Sequence, residues 1–450
     1  MTLKEIAAAP VPAEPEQHPE YSTRRAWLIT AALTLFVIVN WGDKAVLGLT
    51  AGALMEDLGL TPSQYGFAAS SFFFLFAIGT VAGGVLVDRI KTRWVLLAMA
   101  LVWSIVQFPM LGGASFTVLV VSRVVLGLAE GPSTPVALHA VMKWFPDEKR
   151  DIPSSLVLAA SGVGLVVAAP LLSLVQEAWG WRWCFGVMGI AGLVWAVLWL
   201  CIGREGPFDK KPEHSKPPVP MVDAPDVGVV GTEPEVSYWR VFATPTWLCF
   251  AFAGFACYFV TALLTTWLPT YLESIQGMST ITTGNLIAAV AGAGALAIFG
   301  QGVISGYLIG RGVSTRRARA GVAGSAVLVA GACLVAFVFT SGPLQLALML
   351  PGFALFAASY AASSAAVAQI APIAQRGKVF GALFGFFGAA GVIAPFLTGR
   401  LVQAADGAAA GYHTVFLIGA GLLTVAGLCV LLFADPERDA RRLALVASDS

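Results

Sequence analysis

Two short stretches of this 450-residue chain set ionisable side chains inside apolar sequence: Asn40-Trp41-Gly42-Asp43-Lys44, and Arg123-Val-Val-Leu-Gly127-Leu-Ala-Glu130-Gly131-Pro132. Each ionised group at membrane depth costs at least about 2.5 kcal/mol, so four of them require a reason. Their charges cancel, Asp43 and Glu130 against Lys44 and Arg123. Arg123 and Glu130 are seven residues apart and share one helix face, the acid about 10 Å further along. Asp43 and Lys44 point about 100° apart, so one can face a neighbouring helix while the other faces a cavity. A buried carboxyl beside cations can carry a proton near neutral pH, and a cation in a wet cleft attracts an anion. The spacing leads us to expect that Arg123 holds Asp43 or Glu130, whichever is ionised, and that Lys44 draws in a carboxylate. A permanent ion-paired network that only joins helices is the competing reading.

Helices of spanning length must position these groups. The chain is 57% hydrophobic and 12% charged, with a mean hydropathy of +0.79, whereas soluble domains carry roughly 25% charge. Twelve apolar windows are long enough to cross a bilayer core, at 26–50, 66–88, 94–113, 115–142, 154–177, 182–203, 246–270, 282–309, 320–340, 343–368, 379–403 and 411–434. They are too long for alternating barrel strands, which predicts an all-α integral membrane bundle. The polar, Pro-rich residues 1–25 are expected to form a disordered cytoplasmic tail with no cleavable leader. All cations except Lys44, Arg123, Arg182 and Arg400 then fall on the side of both termini, which makes that side cytoplasmic. Segment 204–244 is too rich in Pro and charge to pack and divides bundle 26–203 from bundle 245–435, with a tail at 436–450. A net charge of +1 gives no ground for a nucleic-acid partner. The six cysteines lie in apolar stretches and read as buried hydrophobes.

After the second window the chain reads Gly84-Val-Leu-Val-Asp88-Arg89-Ile-Lys91-Thr-Arg93. This resembles the GxxxDRxxxR loop of the major facilitator superfamily, and the resemblance implies a latch on the cytoplasmic side carried by Gly84, Asp88, Arg89 and Arg93. The matching site of the second half, Gly306 to Arg311, has Gly310 where the acid would stand. The stretches around Asp43 and Arg123, followed by Lys143-Trp144-Phe145-Pro146, resemble the anion:cation symporter branch of that superfamily. That likeness implies uptake of an organic anion with protons by alternating access. It also implies that Asp43, Glu130 and Arg123 couple the proton and that Lys44, Arg123, Trp41 and Asn40 meet the substrate. Lys44 stands where the branch usually has Arg, so the anion meets a point charge in place of a fork. Phe76, Ser161, Ser364 and Gly385 stand where sugar-acid members tend to be polar, which hints at a less hydroxylated substrate, an aromatic or short aliphatic acid.

The second half carries no central charge, so it should supply shape and neutral contacts, above all from Tyr258, Tyr360 and Ser364. The strings AGAGALAIFGQG and GALFGFFGAAG are expected to serve close helix contact and rocking. No phosphate loop or metal-ligand run is present, so no enzyme activity, cofactor or metal is expected, and an ion gradient or the substrate's own gradient must drive transport. The expectation is therefore a monomer in a bacterial inner membrane that takes up a small carboxylate, an aromatic or a sugar acid, with protons. A proton-coupled exporter of drugs or metabolites, or a non-transporting nutrient sensor, would be the alternatives. Lys44 beside Asp43 argues against the first, and the lack of a signalling domain argues against the second.

Overall fold

The structure, a computed structural model, describes residues 22–146, 149–208, 236–372 and 375–448. The side chains of 77, 81–85, 87–88 and 444–448 lie outside the description. Eleven helices among these residues are long and apolar enough to cross a membrane. Before the central interruption they are Thr23–Leu49, Thr92–Gly112, Phe116–Met142, Asp151–Trp179 and Trp181–Ile202. After it come Pro245–Thr266, Thr280–Gly310, Arg316–Phe339, Gly342–Ile370, Arg376–Ala404 and Ala408–Phe433. Pro62–Arg89 completes the set, so the fold is all-α with twelve spans, numbered one to twelve below in chain order.

Local sequence sets where these helices begin and bend. Thr61 accepts from the Gln64 backbone N–H ahead of Pro62, Ser115 from that of Val118, and Thr244 from that of Trp247 ahead of Pro245. Each hydroxyl satisfies a donor that the first helical turn leaves free. Span three is interrupted at Phe108–Pro109 and span four at Gly131–Pro132, where proline removes a backbone donor. Span ten passes through a tight turn at Leu355–Ala357, just beyond Pro351.

The two halves meet closely at the end where span one finishes. The Tyr65 hydroxyl lies 3.0 Å from the Leu47 carbonyl and 2.9 Å from that of Thr266, which ties spans one, two and seven. The Ser70 hydroxyl donates to the Val392 carbonyl at 2.6 Å. Gly48 is needed here, because a Cβ would stand 1.9 Å from the Thr265 carbonyl oxygen. Among the described residues a Cβ at Gly381, Gly385 or Gly388 would meet nothing within 4 Å, nor would one at Gly300, Gly302 or Gly306. The halves are thus joined at the end where span one finishes, and these glycines of spans eight and eleven stand clear of any described neighbour.

Three expectations need correction. Most glycines of the strings in spans eight and eleven line open space in this state and do not make close helix contacts, because no described residue stands opposite them. The segment between the halves packs at both of its described margins. The Phe208 N–H donates to the Lys143 carbonyl at 3.1 Å, and Gln375 Nε2 donates to the Val236 carbonyl at 2.7 Å. Beyond span twelve the chain forms helix Pro436–Ser448, whose Asp439 accepts from the Thr246 backbone N–H at 2.9 Å, so that stretch is docked on the second half. The proposed tail 1–25 lies outside the described residues up to 21, and helix starts at Thr23.

Candidate functional site

All four intramembrane charges converge. Asn40, Asp43, Arg123 and Glu130 are each at most 3% exposed. Lys44 Nζ lies 2.9 Å from Glu130 Oε2 and 3.0 Å from Asn40 Oδ1, and it sits 4.9 Å from the centre of the Trp41 ring. Arg123 Nη2 donates to Gln107 Oε1 at 3.0 Å, and the Nε2 of the same amide donates to Asp43 Oδ1. The Asp43 and Glu130 carboxyls are near enough to interact electrostatically. Asp43 Oδ2 and Glu130 Oε1 are both buried with no donor among the described residues. Two carboxylate oxygens cannot bond to each other, but a carboxyl and a carboxylate can share one proton.

This arrangement corrects the expected pairing. Glu130 takes Lys44 and not Arg123, while Arg123 reaches Asp43 through an amide. The Lys44 stem can turn toward span four because the ammonium is also held by Asn40, one turn earlier on its own helix. Gln107, which the sequence reasoning missed, is fully buried at the end of helix Thr92–Gln107, where the break at Pro109 presents it to the site. A neutral amide in an apolar window carries no charge signal, so only its coincidence with a helix break could have marked it.

Close backbone approach makes the convergence possible. A Cβ on Gly127 would stand 1.8 Å from the Phe72 carbonyl oxygen, so this glycine lets span four press its Arg123–Glu130 face inward against span two. Gly164 plays the same part for spans five and one, with a Cβ position 2.6 Å from the Ile38 carbonyl oxygen.

A cavity lies against this quartet, between the two halves. From the first half it is lined by Trp41, Asp43, Lys44, Phe72, Phe73 and Arg123, and from the second by Tyr258, Thr261 and Thr265. Asn40 and Glu130 stand one layer behind, each tied to Lys44. Of the second-half candidates, Tyr258 lines the cavity, and the Tyr360 hydroxyl backs it by bonding Thr261 Oγ1 at 2.9 Å. Ser364 is corrected: its hydroxyl donates to the Tyr360 carbonyl of its own helix at 3.0 Å, and it is not among the lining residues. Phe76, Ser161 and Gly385 do not line it either.

The residues proposed as a gate stand apart from this site. Gly84 and Asp88 lie in helix Pro62–Arg89, but their side chains lie outside the described residues, and Arg89 is exposed. Arg93 donates through its backbone N–H to Glu205 Oε1 at 2.8 Å and through Nη2 to the Leu200 carbonyl at 2.9 Å. Lys143 Nζ completes the clamp, 3.1 Å from Glu205 Oε2 and 2.8 Å from Thr92 Oγ1. Glu205 was hidden in sequence by the charged segment that follows it. The second half repeats the pattern despite Gly310. The Thr315 backbone N–H donates to Glu437 Oε1 at 2.7 Å, and Arg316 Nη2 donates to the Leu432 carbonyl at 3.2 Å. That N–H holds the Glu437 carboxyl below the usual carboxylate range. The acid comes from beyond the twelfth span, so no motif in the loop itself announces it.

Among the described residues no group of three or more His, Cys, Asp or Glu is placed to hold a metal. Twelve spanning helices around a charged cavity between two halves define a polytopic membrane transporter. The Major Facilitator Superfamily profile matches residues 33–358, and the chain belongs to that family. It is a transporter and not an enzyme. The chain is 28% identical over 423 residues to a hexuronate transporter of Bacillus subtilis, covering 90% of this chain and 93% of the relative. It is 27% identical over 426 residues to a probable sulfoacetate transporter of Cupriavidus necator, covering 91% and 94% respectively. A bacterial homologue of the human lysosomal transporter Spinster, crystallised inward-facing and unoccupied, superposes with a TM-score of 0.75 at 19% identity, covering 95% of this chain and 99% of that one. A D-xylose–proton symporter superposes at 0.71 and 16% identity, covering 92% and 99%.

Proposed function

We propose that the protein takes up a small carboxylate together with protons by alternating access, across a bacterial inner membrane with both chain termini cytoplasmic. The observation that carries this reading is the Asp43–Glu130 carboxyl pair, held within reach of Lys44 and Arg123 on the wall of a cavity between the halves. Relatives named for hexuronate, galactarate/glucarate and galactonate transport support an organic anion as cargo.

Charge balance supplies the coupling. With both acids ionised the quartet sums to zero, and the empty site can turn between its two faces at little electrostatic cost. One proton on the carboxyl pair raises the site to +1, and one monovalent anion against Lys44 returns it to zero. The protonated empty site and the unprotonated loaded site each carry a net charge through the closed intermediate. Either costs at least about 2.5 kcal/mol on insertion scales, so neither half-loaded form turns freely. Protonation also weakens the hold of Glu130 on Lys44 and frees the ammonium for the incoming carboxylate. The tight contacts around Tyr65 and Gly48, and the open glycine rows of spans eight and eleven, are surfaces that would exchange roles as the halves rock. The segments 26–203 and 245–435 would be the rocking bodies.

Proteoliposome uptake of a carboxylate panel at two pH values tests this. The proposal expects an imposed inside-alkaline gradient to drive accumulation, and it fails if no carboxylate responds to that gradient.

A further inference from the structure

Apart from the charged side, where Asp43 stands with Lys44 and Arg123, the cavity walls are largely apolar. Trp41, Phe72 and Phe73 line it from the first half, Tyr258 from the second, and Leu47 and Leu126 fill the gaps. The rings form a continuous series: Phe72 and Phe73 have centroids 5.0 Å apart at 88°, and Phe73 meets Tyr258 at 5.9 Å and 84°. The second contact crosses from one half of the molecule to the other.

Polar groups on the walls are few: beside the charged groups stand the Trp41 indole N–H and the Tyr258 hydroxyl, while the threonine protons are already committed. Thr261 Oγ1 donates to the Cys257 carbonyl at 3.0 Å or shares its proton with Tyr360 at 2.9 Å. Thr265 Oγ1 donates to the Thr261 carbonyl at 3.1 Å, and Thr266 Oγ1 donates to the Ala262 carbonyl at 2.6 Å. A polyhydroxylated acid entering this space would give up its bonds to water and find few partners. An apolar pocket discriminates against one added hydroxyl by about 100-fold, and a sugar acid brings several. An aromatic ring instead extends the edge-to-face series, which is a favoured geometry for ring pairs.

We propose that the cargo is an aromatic monocarboxylate, with its carboxylate on Lys44 and Arg123 and its ring among Trp41, Phe72, Phe73 and Tyr258. This rests on the carboxylate reading above and narrows it. Because the ring would touch both halves, the cargo also helps hold them together as the cleft closes around it.

The test is calorimetric titration of the purified full-length protein in detergent at pH 6 with benzoate, hexanoate and glucuronate. Benzoate is expected to bind at least about 100-fold tighter than glucuronate and about tenfold tighter than hexanoate. Phe73→Leu should weaken benzoate about tenfold and leave hexanoate unchanged; should that variant fail to fold, the wild-type panel decides alone. Glucuronate binding as well as benzoate overturns the aromatic assignment and leaves carboxylate transport standing, as does hexanoate matching benzoate. Failure of all three to bind overturns this proposal and counts against the carboxylate reading beneath it.

Discussion

Lys44 and Glu130, 86 positions apart in the chain, are joined Nζ to Oε2 at 2.9 Å, with the acid side chain fully buried and the lysine 16% exposed to the cavity. One end of this bond therefore faces the space where cargo would sit, and the other faces a second acid. Arg123 does not compete for Glu130; it is occupied with Gln107.

Removing the lysine should expose how much the pair contributes. Lys44→Met leaves Glu130 buried without its cation, which costs about 3 to 5 kcal/mol when one partner of a buried pair is lost. A marked fall in thermal unfolding temperature is expected for this variant. The double variant Lys44→Met with Glu130→Gln should recover most of that fall but no uptake, and thermal unfolding in parallel with uptake measures both.

Gln107 is predicted to be as sensitive as the charged residues around it. Gln107→Leu strips Asp43 Oδ1 and Arg123 Nη2 of their shared amide, and each buried polar group left unpaired costs about 1 to 3 kcal/mol. Uptake should fall at least tenfold and its pH optimum should move, since the link between acid and guanidinium is gone. An unchanged pH profile would show that the amide only fills space.

Glycine substitutions should divide by location. Gly127→Ala places a methyl 1.8 Å from the Phe72 carbonyl oxygen, and two helix backbones must separate to admit it, at a cost of about 1 to 3 kcal/mol. Gly300→Ala meets nothing within 4 Å among the described residues, so it should fold as the parent does. Expression level and unfolding temperature of the two variants provide the comparison.

At the joined end, burial pushes the Glu273 carboxyl up to about 7, against the pull of the Thr280 hydroxyl. The folded protein thus binds this proton more tightly than the unfolded chain, for which the ordinary value is 4.5. The contribution to stability is complete below the unfolded value and is lost as pH rises through about 7. Glu273→Gln, which mimics the protonated form, should match the wild type near pH 5 and unfold at a higher temperature near pH 8. Equal unfolding temperatures at both pH values would contradict the assignment.

Spanning helices are legible because lipid imposes a length and an apolar composition that few other settings require. Asp43, Lys44, Arg123 and Glu130 stand out for the same reason, as charges where charge is costly. Who pairs with whom was not legible. Lys44 reaches Glu130 only because Gly127 admits span two closely and Asn40 props the ammonium, neither of which is a property of the charged residues themselves. Gln107 and Glu205 escaped notice because one is neutral and the other sits at the edge of a charged segment, and Glu437 because it lies more than a hundred residues from the loop it clamps. Ser364 was singled out by residue type, yet its hydroxyl is spent on its own helix, the usual fate of serine in a spanning helix.

The central claim is that a proton shared by Asp43 and Glu130 neutralises the charge that an anion brings to Lys44. Glu130→Gln in proteoliposomes tests it most directly. The amide fixes Glu130 in a neutral form, so exchange of labelled carboxylate between the two sides should persist while accumulation driven by a pH gradient is lost. Undiminished gradient-driven accumulation in that variant would contradict the account.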